Sequence, residues 1–174
     1  MSVHLGILQT DSVLETLQPR FGDYPQMFEE LFREQDPEMT FTTYNVQQTL
    51  PSNLECDAYL ITGCKLSVYD DLPWIRELAS FIRHAIEAKK KIIGICFGHQ
   101  LIAHFFGGEV GPASAGWGVG VQTSDLVMTY GWMGDVNQNP SQLHLVASHK
   151  DQVLKLPEGA EVFASSDFCP VSGF

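Results

Sequence analysis

Residues 91–95, KIIGI, form an almost wholly apolar run that stops at Cys96, and helical spacing resumes behind it at Leu101, Ile102, Phe105 and Phe106. A short run without polar alternation fits a strand buried on both faces of a parallel sheet. Gly94 and Gly98 flank the cysteine in a Gly-x-Cys-x-Gly spacing, the thiol counterpart of the sharp strand-to-helix elbow that lifts a nucleophile out of a sheet. The turn is so tight that a side chain at either glycine is expected to clash with neighbouring backbone. It places the thiol at a helix N-terminus, where the dipole and free N–H groups favour the thiolate. The N–H of Phe97 then points toward an oxyanion forming beside the sulfur. The same local pattern also fits a core cysteine next to a tight turn.

The segments around this turn set its context. Residues 3–9 read as a buried strand ending in the polar loop QTD. Tyr24, Met27, Phe28, Leu31 and Phe32 recur at the spacing of an amphipathic helix. Residues 39–46 and 58–62 read as strands, the latter running straight into Gly63. Asp70 and Asp71 ahead of Pro73 signal a helix start with a carboxylate near the N-cap. Apolar spacing from Trp74 to Ile86 carries that helix to about Ala88, where Lys89, Lys90 and Lys91 suit its negative end. The order strand, helix, strand, strand, helix, strand predicts a doubly wound, mainly parallel α/β sheet with its site at the carboxyl ends of the strands. Beyond residue 108, segments 117–124, 142–147 and 161–165 read as strands, some antiparallel, with a loop-rich stretch at 129–141. A single domain over 1–174 is expected, with no internal repeat and no linker.

The chain of 174 residues carries a formal net charge of -11, with 21 Asp plus Glu against 10 Lys plus Arg. That excess repels phosphate backbones, so nucleic acid is not an expected partner. Every apolar run is broken well short of a membrane span. Cys56, Cys64, Cys96 and Cys169 show neither CxxC spacing nor the density of a disulfide framework. With no export signal at the N-terminus, reduced thiols in the cytoplasm are the expectation. His99 and His104 are spaced poorly for one helical face, so no metal site is expected.

Four blocks in order make the pattern specific. GICFGHQ (94–100) resembles the G-x-C-x-G-x-Q nucleophile motif of class I glutamine amidotransferases. ITGCKLSVYD (61–70), GWGVG (116–120) and ASHKDQV (147–153) followed by Leu156-Pro157 resemble segments of the GMP synthase-like branch of that family. The resemblance implies a flavodoxin-like sheet with helices on both faces. It implies that Cys96 attacks the side-chain amide of glutamine to form a γ-glutamyl thioester and release ammonia. Gly63 and Phe97 would then donate oxyanion-hole N–H groups. Gln100, together with a loop carrying Ser148, His149 and Asp151, would hold the substrate. That loop also reads as a polar turn between two strands, and Lys150 departs from the small residue that relatives often have. Cys64 departs in the same way from the usual Ser or small residue. No metal or cofactor is implied.

The resemblance also assigns a general base to a His-Pro-Glu segment on a later strand. The sequence contains no His-Pro dipeptide and ends at Cys169-Pro170-Val171-Ser172-Gly173-Phe174, so a C-terminally shortened domain of low activity is the expectation. A synthetase domain has no room here, so an ammonia acceptor would be a separate chain. Two alternatives remain open: a γ-glutamyl peptidase or hydrolase that uses the same elbow, and a non-catalytic partner-binding domain.

Overall fold

A computed structural model describes residues 2–134 and 141–174, which pack as two compact units, Met1–Ile102 and Ala103–Phe174. In the first unit β1 (His4–Gln9), β2 (Thr40–Asn45), β3 (Ala58–Ile61) and β4 (Lys91–Gly94) form one fully parallel sheet in the order β2-β1-β3-β4. The chain moves outward from β1 to β2, then crosses to the other side of β1 for β3. The carboxyl ends of β1 and β3 therefore frame the switch point where open α/β sheets form their crevice.

Helices cover both faces, as the alternation of the strands demands. On one face Leu5, Ile7, Ala58 and Leu60 form a buried cluster that takes Phe28 and Phe32 of α2 (Tyr24–Arg33), with Ile93 beside them. On the other, Tyr59 meets Phe81 of α3 (Pro73–Glu87) edge-on at 5.1 Å between ring centroids. A short helix, α1 (Gln18–Phe21), precedes α2 and was not expected from the sequence. α2 starts on a capping box, in which the Asp23 carboxylate accepts from the Gln26 N–H while the Gln26 side chain accepts from the Asp23 N–H, and the same carboxylate also accepts from the Tyr24 N–H. Such caps satisfy the orphan donors of a first turn.

α3 begins at Pro73 as the sequence predicts, but without the expected carboxylate cap. Leu72 is its N-cap and makes no side-chain bond to the helix. The two carboxylates are drawn elsewhere: Asp70 accepts from the Ser67 N–H at 3.0 Å, and Asp71 pairs with Arg76. Proline at N1 lacks an N–H, so this start has one orphan donor fewer to satisfy.

In the second unit β5 (Glu109–Pro112) pairs antiparallel with β8 (Asp151–Lys155), and β6 (Gly118–Leu126) lies between β7 (Gln142–His149) and β9 (Ala164–Ser165). The expected antiparallel character is present. The strand read over 161–165 is confined to its last two residues, and β5 and β8 were not expected. Within the loop-rich stretch 129–141, residues 135–140 lie outside the described residues, and Gly131–Met133 forms one 3-10 turn. No helix among the described residues is long and apolar enough to cross a membrane.

Candidate active site

β4 ends at Gly94, and α4 (Phe97–Phe105) starts almost at once, so the backbone must reverse across Ile95 and Cys96. Cys96 takes a left-handed φ of +52°, a conformation that costs a side-chain-bearing residue about 1–2 kcal/mol. Cys96 as a residue is exposed. Both flanking glycines are required by contact. A Cβ on Gly94 would sit 2.6 Å from the carbonyl carbon and oxygen of Gly98, and a Cβ on Gly98 would sit 2.6 Å from the Ile61 carbonyl oxygen. The clash expected from the sequence is therefore with α4 at one glycine and with the core strand β3 at the other.

The turn consumes some of its own donors. Gly98 N–H bonds the Ile95 carbonyl at 2.9 Å, and Gln100 N–H bonds the Cys96 carbonyl at 3.0 Å. Phe97 is buried and stacks on Trp74 of α3 at 5.7 Å, which fixes the first residue of α4. Gly63 lies against the nucleophile: a Cβ built on it would be 3.6 Å from the Cys96 Cβ. Gln100 is 7% exposed, one turn into α4.

Three residues not singled out from the sequence also belong to this end of the sheet. The Tyr24 hydroxyl is pushed above its ordinary value first by burial, then by the charges of Asp11, Cys96, Asp23 and Cys64. Burial alone would raise the Asp11 carboxyl, but the N–H groups of Ser12 and Lys65 and the Lys65 ammonium hold it below its ordinary value. Asp11 accepts from the Lys65 N–H at 3.2 Å and pairs with Lys65 Nζ at 3.3 Å. Thr10, just before it, is fully buried. The sequence signals for these positions were the polar loop after the first strand, for Thr10 and Asp11, and the helical spacing that begins at Tyr24.

Ser148, His149 and Asp151 belong to the second unit. They do not form the expected loop. Ser148 and His149 end β7, Asp151 starts β8, and only Lys150 lies between the strands. Both strands continue to the turn because β6 pairs through His149 and β5 pairs from Asp151. His149 Nδ1 lies 3.2 Å from the Asp151 carbonyl, and its ring meets Phe168 at 5.7 Å. Elsewhere His4 pairs with Thr42 at 2.8 Å and His144 with Thr123 at 2.9 Å, so these two rings are committed to structural partners.

The four thiols are not equivalent. Cys64 is pushed up to about 11, chiefly by burial and further by the Asp11 charge, and burial raises Cys56 and Cys169 as well. Thiolates and not thiols react with alkylating agents, so Cys64 stays inert near neutrality. Iodoacetamide at neutral pH is expected to modify Cys96 first, with Cys64 following only as the pH approaches 11. Peptide mass mapping over a pH series checks this order, and Cys64 reacting first would contradict it.

The profile of the family described as glutamine amidotransferase class-I matches residues 23–174. The chain belongs to the class I glutamine amidotransferase family. It is 32% identical over 166 residues to gamma-glutamyl peptidase 3 of Arabidopsis thaliana, covering 92% of this chain and 66% of that protein. It is 37% identical over 128 residues to a glutamine-hydrolyzing GMP synthase subunit of Methanocaldococcus jannaschii, covering 71% of this chain and 60% of that protein. The second match bears out the GMP synthase-like character read from the sequence. The chain spans about two thirds of the length of the curated relatives it matches. A glutamine amidotransferase of Thermotoga maritima superimposes with a TM-score of 0.79 at 19% identity, covering 98% of this chain and 70% of that one. A glutamine amido transferase of Methylobacillus flagellatus does so with a TM-score of 0.76 at 22% identity, covering 98% and 64%. Both confirm the amidotransferase fold read from the sequence.

Proposed function

We propose that the chain carries the nucleophile of a cytoplasmic glutamine amidotransferase that cleaves the side-chain amide of glutamine and passes ammonia to a separate acceptor chain. The observation that carries this is Cys96 held exposed at positive φ between two glycines that tolerate no side chain, with Gly63 against it. Strain of this kind at an exposed nucleophile is kept where the surrounding packing enforces it. A purely structural domain has no use for it, which speaks against the partner-binding alternative.

In the proposed reaction the Cys96 sulfur adds to the amide carbon and the carbonyl electrons move to oxygen. The Gly63 and Phe97 N–H groups receive that oxyanion. Collapse breaks the C–N bond, the amine leaves carrying a proton, and a γ-glutamyl thioester remains for water to hydrolyse. Gln100, Ser148, His149 and Asp151 are the proposed substrate-holding residues, supported by the matching motifs. The base that the family takes from a His-Pro-Glu segment is not encoded in these residues. This chain alone is therefore expected to turn over glutamine slowly or not at all while still accepting a γ-glutamyl group on Cys96.

The likeness to gamma-glutamyl peptidases supports a second reading, in which the amine released is an amino acid or peptide. The likeness to glutamine-hydrolyzing GMP synthase subunits supports free glutamine with a separate synthetase. Release of ammonia from glutamine is compared with release of amino acid from a γ-glutamyl dipeptide, in a version extended to carry the His-Pro-Glu segment. Comparable or faster glutamine turnover supports the amidotransferase. Cleavage of the dipeptide alone rejects it in favour of the peptidase.

A further inference from the structure

We propose that Thr10 is a positioning residue for the oxyanion hole, acting through a buried hydroxyl relay that sets the backbone of Gly63. The proposal rests on Cys96 and Gly63 being the nucleophile and an oxyanion donor. Gly63 lies beyond the end of β3, so no strand ladder fixes it, and glycine has no side chain to restrict its own φ and ψ. Something outside the residue must hold it.

Thr10 does so from the neighbouring strand end, across the switch point of the sheet. Thr10 and Thr62 are both 0% exposed. Thr10 N–H donates to Thr62 Oγ1 at 3.0 Å, the two hydroxyl oxygens are 3.0 Å apart, and Thr10 Oγ1 donates to the Gly63 carbonyl at 2.8 Å. One proton arrangement satisfies all three: Thr10 N–H to Thr62 Oγ1, Thr62 O–H to Thr10 Oγ1, Thr10 O–H to Gly63 O. Buried relays of this kind polarise one another and strengthen each link.

The Thr62 carbonyl also faces Thr10 Oγ1, at 3.2 Å. The two carbonyls that bracket Gly63 thus converge on the Thr10 hydroxyl, and the Gly63 carbonyl also lies 3.3 Å from Thr62 Oγ1, a longer contact than the 2.8 Å from Thr10. A planar trans peptide points its N–H opposite to its carbonyl. With the Thr62 carbonyl turned toward Thr10, the Gly63 N–H is turned away from it. The Gly63 Cα at the same time presents its open side to Cys96, as the 3.6 Å Cβ-to-Cβ approach shows. Thr10 never reaches substrate on this account; it acts only through the peptide it holds.

The test separates an oxyanion effect from ordinary stabilisation. L-Glutamate γ-semialdehyde adds reversibly to a thiol: the C–S bond forms, and the aldehyde oxygen enters the oxyanion site and takes up a proton. Iodoacetamide alkylates the same sulfur by displacing iodide from a saturated carbon, and forms no oxyanion. The rate of Cys96 alkylation by iodoacetamide is measured alone, with increasing semialdehyde, and with increasing glutamine, for the unmodified chain, Thr10→Val and Thr10→Ser. Thr10→Val is expected to weaken semialdehyde protection roughly ten- to a hundredfold, because displaced oxyanion donors cost on that order. Its alkylation rate without ligand and its protection by glutamine are expected to stay within about twofold, since neither uses the oxyanion site. Thr10→Ser keeps the hydroxyl and is expected to restore semialdehyde protection.

Equal weakening of semialdehyde and glutamine protection in Thr10→Val, or no weakening of either, would overturn the positioning role while leaving the proposed function standing. If Thr10→Val does not fold, the same ratio is read on Thr10→Ala. Failure of both to fold would make the hydroxyl a general structural requirement and overturn the proposal. If the unmodified chain is protected by neither ligand, the reading of Cys96 itself falls, and this inference with it.

Discussion

Cys96→Gly is expected to make the chain more stable and chemically inert at the same time. Cys96 holds a φ of +52°, where a Cβ is crowded by the following carbonyl oxygen and glycine is not. Relief of that crowding is expected to add about 1 kcal/mol, somewhat offset by the greater freedom of glycine in the unfolded chain. The residue is exposed, so little packing is lost with its side chain. Capture of a γ-glutamyl electrophile, in contrast, disappears with the sulfur. Urea denaturation midpoints and intact-mass labelling, measured on the same two proteins, check both halves. An equally large loss of stability on removing the side chain would mean that Cys96 is an ordinary packed cysteine after all.

The second large effect is at Gly98. A methyl there would meet the Ile61 carbonyl oxygen at 2.6 Å and the Ile61 Cβ at 2.7 Å, both on a core strand whose residues are fully buried. Neither atom can swing aside, so α4 must shift off the sheet. Overpacking of a rigid interior costs about 1–3 kcal/mol, and this contact lies at the upper end because backbone is involved. The shift would also carry Phe97 and Gln100, on the first turn of α4, out of place. Gly98→Ala is therefore expected to lose about 3 kcal/mol and most γ-glutamyl capture together. Gly107→Ala is the control. It has a φ of +98° but nothing within 4 Å of its Cβ, so only conformational strain of about 1 kcal/mol is expected and the nucleophile is untouched. Similar denaturation midpoints for the two variants would show that the elbow glycine is not sterically required.

How much of this the sequence carries depends on how local each determinant is. The elbow was legible because all its requirements lie within a few residues: an apolar strand, two glycines, a cysteine and renewed helical spacing. The two central strands were legible for the same reason, since β1 and β3 are short apolar runs and are buried. The burial on both faces expected for 91–95 is not met: β4 lies at the edge of the sheet, with Ile92 and Ile93 half-buried and Ile95 exposed. β5 was missed because Glu109–Pro112 contains both glycine and proline and shows no alternation. β8 was missed because the polar residues before it read as a loop, and only pairing with β5 makes Asp151–Lys155 a strand. The carboxylate cap expected on α3 failed because Asp70 and Asp71 found other partners nearby. The relay from Thr10 to Gly63 spans more than fifty positions. In sequence, Thr10 is one more polar residue after a strand; only the β1–β3 pairing turns it toward the glycine. Local signals found the nucleophile, and long-range pairing supplies what surrounds it.

Competition labelling tests the central claim most directly. The chain is exposed to a glutamine-analogue chloroketone, with and without excess glutamine, and the adduct is mapped by peptide mass spectrometry. A single adduct on Cys96, suppressed by glutamine and absent in Cys96→Gly, is the result this account predicts. An adduct spread over the other cysteines, or one on Cys96 that glutamine leaves unchanged, would contradict it.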